Sequence, residues 1–200
     1  MGTSNNKRRR LVVPAALVAV AAAGAAAIST GAWFTGNATV NGNSFTAGTV
    51  TIGVTPATAA IGAGNMAPGD VQYGKIVVSN TGSLQQRYAV TESATNTDGK
   101  NLAGELNFDA VAIANGATCD ATAFAGTPTL LTAPGNTFAN TTVFGNPAQG
   151  SQAGDRVLNA GASENLCFRV SLPLTADNSY QGATTTGTLT FSAEQTANNA

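Results

Sequence analysis

Six stretches of the chain alternate apolar and polar residues with a period of two, and Gly, Pro or Asn sits at their ends. The clearest is ENLCFRVSLPL, from Glu164 to Leu174. Leu166, Phe168, Val170 and Leu172 take one face, and Cys167, Arg169 and Ser171 take the other. GTLTFSAEQ (Gly187 to Gln195) repeats the pattern with Leu189, Phe191 and Ala193. Shorter cases are VTIGV (Val50 to Val54), GKIVVSN (Gly74 to Asn80) and RYAVTES (Arg87 to Ser93), the last with Tyr88 and Val90 on one face. In LNFDAVAIA (Leu106 to Ala114) the apolar phase changes between Phe108 and Val111, which predicts a bulge or kink near Asp109–Ala110. Successive side chains on a strand point to opposite faces, so such stretches fold as strands with one face on a core. Short strands separated by turn residues predict an all-β chain, folded as an antiparallel β-sandwich.

Helix is poorly supplied. The most helix-like piece, around Lys100 to Leu106, is short. Charged residues are 10% of the chain, where about a quarter is usual. Long solvated helices need Glu, Lys, Gln and Arg on the wet face, and Gly, Ala, Thr and Asn stand in their place here. The middle, Gly116 to Asn159, reads as long loops or short edge strands.

The first residues, MGTSNNKRRR, are followed by an apolar run from Leu11 to Ile28 and then by small residues. A basic region, an apolar region and a small-residue junction read as a secretory signal helix over residues 1–32. Cleavage falls near Ala32, or alternatively near Ala27. Either cut removes Lys7, Arg8, Arg9 and Arg10, and leaves 5 basic against 10 acidic residues, a net charge of −5. That balance gives no basic patch for nucleic acid. Residues 33–200 suffice for a single domain with a core of its own.

In an exported chain two cysteines are read first as a disulfide. Cys119 and Cys167 lie 48 positions apart. Two free thiols are the other state; zinc is poorly served by two thiolates without His or a nearby acidic cluster. Cys167 is on the outer face of its strand, so a bridge would pin the middle region against the outside of a sheet.

Catalytic motifs are scarce. The chain has no His, which removes Ser–His, Cys–His and HExxH arrangements. No Gly-rich phosphate loop is found, and no two carboxylates share a strand face at i, i+2. Asp70, Asp98, Asp109 and Asp177 stand near Gly or Asn and read as turn residues rather than a calcium loop. LPLTA (Leu172 to Ala176) reads as a strand end rather than a sorting signal. The expectation is a non-enzyme without cofactor, with no catalytic, cofactor-binding or metal residue.

Three blocks together resemble the TasA/camelysin family of exported bacterial proteins. They are GAWFTGNATVNGNSFTAGTVTIGV (Gly31 to Val54), NMAPGDVQYGKIVVSNTGSL (Asn65 to Leu84) and YQGATTTGTLTFSAEQ (Tyr180 to Gln195). The resemblance implies a jelly-roll-like sandwich, export through a SipW-type signal peptidase, and a place in the extracellular matrix or on the cell surface. It also implies fibres of identical subunits, in which segment 33–47 of one copy serves as a donor strand for the next. Trp33, Phe34, Val40 and Phe45 would be its assembly residues, although Phe45 also reads as the start of the chain's own first core strand. An accessory fibre subunit is a further implied partner. Some relatives are described as metallopeptidases, and the absence of His weighs against that activity here.

Overall fold

The computed structural model describes residues 44–199. The signal region 1–32 with its cleavage sites, and Trp33, Phe34 and Val40 of the donor segment, lie outside the described residues.

The described chain folds into two antiparallel sheets. In order along the chain, β1 is Ile52–Thr55, β2 Val71–Asn80, β3 Gln86–Thr95 and β4 Asn107–Ile113. Then come β5 Thr142–Phe144, β6 Arg156–Leu158, β7 Ser163–Ser171 and β8 Thr186–Gln195. A single helical turn, α1, spans Leu102–Glu105 ahead of β4. One sheet has the order β1-β2-β7-β4. In the other, β3 is flanked on one side by β8 and on the other by β5 and β6, end to end. Apart from β1–β2 and β5–β6, successive strands pass from sheet to sheet, as in a jelly roll, with β2 paired to β7 and β3 to β8.

The alternation of the sequence becomes the core. Ile76, Val78, Phe108, Ala110, Leu166, Phe168 and Val170 from the first sheet meet Tyr88 and Val90 from the second, all buried. Phe108 and Phe168 stack with ring centroids 5.7 Å apart. The turn at Pro68–Gly69–Asp70 forms as its residues require. Gly69 takes φ 96°, the Asp70 N–H donates to Ala67 O, and the Asp70 carboxylate accepts from Ala67 N–H at 2.8 Å.

Two expectations about β4 are corrected. No bulge occurs near Asp109–Ala110, since β4 pairs with β7 in unbroken register from Asn107↔Ser171 to Ile113↔Asn165. The phase change has another cause: both faces of this strand are covered. Phe108 and Ala110 point into the sandwich, while Val111 packs outside with Cys167 and Phe124. Asp109 is not a turn residue either. It sits mid-strand opposite Arg169 and accepts from its guanidinium at 2.6 Å.

The middle region supplies the outer cover. Cys119 and Cys167 are joined, with Cα atoms 5.2 Å apart, and the bridge holds the Ala121–Phe124 turn over the outside of β4 and β7. Arg169 lies over the Phe124 ring, 4.5 Å from its centroid. Further along, the turn at Gly145 and the loop to Asp155 lie over the other sheet. A Cβ on Gly145, which has φ 69°, would come within 2.9 Å of the Ala89 side chain. The Gly150 N–H reaches Glu194 on β8 at 3.0 Å.

Candidate functional site

Every sheet has edges, and how a protein treats them is informative. The outer edge of β4 is covered by the chain itself: Phe108 N–H donates to Asn136 O, Leu131 N–H to Ala110 O, and Phe138 N–H to Leu106 O. β5 and β6 are three residues each, too short to template a long strand. β8 is different. It runs for ten residues, pairs along its full length with β3, and among the described residues pairs with no strand on its other side. β1, four residues long, likewise has β2 on one side only.

The side chains report the same openness. β7 buries five of its nine residues, whereas β8 buries none. Leu189, Phe191 and Ala193 pack on the core yet stay half-buried, as do Ile52 and Val54 on β1. β1 and β8 approach one another on this side of the sandwich. Along this seam the half-buried apolar side chains of the two strands leave the core incompletely covered.

At the end of the sandwich where β8 begins, a cavity of about 720 Å³ opens. Leu106, Phe138, Val170 and Leu172 form its apolar floor, and Thr186 and Gly187, the first residues of β8, stand on its wall. The Phe138 ring packs directly on Gly187, where a Cβ would fall 2.1 Å from it. Segment 181–184 forms part of the rim and is held from the loop after β3. Asp98 accepts from the Lys100 and Thr184 backbone N–H groups, and these bonds hold its carboxyl below the usual range. Lys100 Nζ donates to Gln181 O at 2.5 Å. The Tyr180 turn expected from the sequence is a short 3-10 turn capped by Asp177, and Tyr180 also lines the cavity.

A polar link ties the sheets together near the other end. Tyr88 on β3 donates to Glu164 on β7 at 2.6 Å, and Arg156 on β6 donates to both Glu164 oxygens. Burial, and then the hydrogen bond to Glu164, push the Tyr88 phenol far above its ordinary value. Sequence reading missed this link, since its three residues come from different strands of both sheets. It also missed the cavity and the open edge.

Of the assembly residues named from sequence, Phe45 alone is described. It is 95% exposed and outside any strand, so it does not begin this chain's own sandwich. Gly48 lies against Leu84, and the Thr49 carbonyl accepts from Ser83 and Leu84. Val50, expected on the core face with Ile52 and Val54, is exposed, because β1 starts only at Ile52.

The model of a family described as camelysin metallo-endopeptidase matches residues 9–200, and no curated protein matches the chain. That family is of the surface and biofilm type. The description implies a metal, and the donors of this chain do not fit one. It has no His, both Cys are consumed by their own bridge, and among the described residues no three metal-binding side chains come together. Six of its ten carboxylate side chains are engaged elsewhere: Asp109 and Glu164 with arginines, Asp70, Asp98, Asp120 and Asp177 with nearby backbone N–H groups.

Proposed function

The chain belongs to the camelysin metallo-endopeptidase family, and from that premise we propose that it is an exported structural protein of the cell surface or biofilm matrix. In this reading a SipW-type signal peptidase removes residues 1–32, and segment 33–47 of each mature copy adds as a strand to an open sheet edge of the next. The observation that carries it is β8: a ten-residue edge strand with no buried residue, flanked by half-buried apolar side chains. Exposed edges are normally blunted by charge, Pro or brevity, and β8 carries only one charged residue, Glu194. An added strand would satisfy its free N–H and C=O groups, and alternate side chains would cover the seam. Donor and acceptor surfaces differ, so the contact repeats head to tail and gives a filament unless it closes into a ring.

The test is electron microscopy of the concentrated mature protein, with and without residues 33–47. Filaments should require the segment, and equal filaments from the truncated chain would sink the proposal. The rival is proteolysis, favoured by the family's description alone. We expect no chelator-sensitive cleavage of casein, and cleavage abolished by chelator would favour the rival. An accessory subunit that caps or anchors fibres would instead bind filament ends without elongating alone.

A further inference from the structure

We infer that the end cavity receives the Phe34 side chain of a second copy, and that the added strand runs parallel to β8. The inference rests on the strand-addition reading and gives it a receptor and a direction.

The donor stretch itself alternates. From Phe34 onward one face would carry Phe34, Gly36, Ala38, Val40 and Gly42, and the other Thr35, Asn37, Thr39, Asn41 and Asn43. As a strand, this puts small and apolar groups on one side and polar ones on the other. Residues 34–43 number ten, the length of β8. Leu189 and Phe191 already pack on the core beside the seam, so a strand added along β8 has most use for small inward groups. Gly36 and Ala38 meet that demand, and Phe34 does not. It is the bulkiest residue on the inward face and stands at its start, so room is needed at one end of the added strand.

The start of β8 offers that room. Beside Thr186 and Gly187 lies the cavity of about 720 Å³ with its apolar floor. A phenyl ring has a place there. With Phe34 there, the donor runs from the start of β8 toward its end, parallel to it. Phe45, exposed and just beyond the paired stretch, then leads into the donor's own body.

Cross-linking reads the direction. A protein carrying Thr188→Cys, an exposed position on β8, is mixed with one carrying either Thr35→Cys or Asn41→Cys, and oxidised during assembly. Parallel addition brings Thr35 to Thr188 and leaves Asn41 remote. A heterodimer through Thr35 is expected by mass spectrometry, and one through Asn41 instead overturns the direction. A cross-link inside a single monomeric chain carrying both Thr35→Cys and Thr188→Cys would show its own segment in the seam and overturn the second-copy occupant. Ala176→Trp, which fills the cavity, and Phe34→Ala, which empties it, test the receptor. Each should raise the concentration needed for filaments roughly tenfold or more, with monomer circular dichroism unchanged. Unchanged assembly in Phe34→Ala overturns the cavity assignment. Filaments that persist without residues 33–47 would sink strand addition itself, whereas segment-dependent filaments indifferent to Phe34 would sink only this inference.

Discussion

Glu92 offers the sharpest test of the packing. It lies on β3 on the face shared with Tyr88 and Val90, and is only 5% exposed. Its carboxylate oxygens make no hydrogen bond among the described residues. Burial pushes its pKa up from 4.5 to about 8, opposed in part by the nearby Asn140 N–H. The sign of the effect follows. Below pH 4.5 the carboxyl is protonated whether the chain is folded or not, and its contribution is complete. Between 4.5 and 8 the unfolded chain has released its proton and the folded one keeps it, so each rise in pH favours unfolding. Above about 8 the folded state ionises too, and the loss is complete. A pKa unit is about 1.4 kcal/mol, so the full shift is worth about 5 kcal/mol, and partial hydration near the sandwich surface reduces this to about 2–3 kcal/mol. Urea unfolding of the wild type and of Glu92→Gln, followed by circular dichroism at pH 5 and pH 8.5, isolates the group, because glutamine does not titrate. The stability difference between the two proteins should move by about 2–3 kcal/mol against the wild type from the lower to the higher pH. Parallel profiles, within about 0.5 kcal/mol, would refute the claim that Glu92 is held neutral inside the sandwich.

Other substitutions probe separate links. Cys119→Ser opens a 48-residue loop and should cost about 4 kcal/mol in the chain-entropy account, read as a lower urea midpoint. Tyr88→Phe removes the hydroxyl that bridges the sheets to Glu164 and should cost about 1–2 kcal/mol, while Glu164→Ala, which strands both Tyr88 and Arg156, should cost more, about 3 kcal/mol. Equal losses in the two variants would show that Arg156 gains little from its partner. Phe168→Ala empties a fully buried site stacked on Phe108 and should cost about 3–5 kcal/mol in thermal or urea unfolding.

Much of the fold was legible because its signals are local. Alternation in Glu164–Leu174 places Leu166, Phe168, Val170 and Leu172 on the core, and all four are buried. The Pro68–Gly69–Asp70 turn is written in residues that accept its backbone angles. The cysteine pair, with Cys167 on the outward face of its strand, pointed to the outside of a sheet, where the bridge stands. What alternation cannot express is a strand covered on both faces. At Asp109–Ala110 the altered phase looked like a bulge, and a loop 48 positions from Cys167 in fact covers the second face. The strands β5 and β6 have too few residues to show a period, and they exist because β3 offers them an edge.

The sequence by itself determined that this chain is all-β, which side chains face inward along its long strands, and that its chemistry excludes histidine. Tertiary structure alone decided which edges are closed and which stay open. Loop 130–138 seals β4, while β8 is left with one free side and a cavity at its start. The reason is physical. A strand's own residues set which way its side chains point, but whether its backbone groups find partners depends on segments far away in the chain.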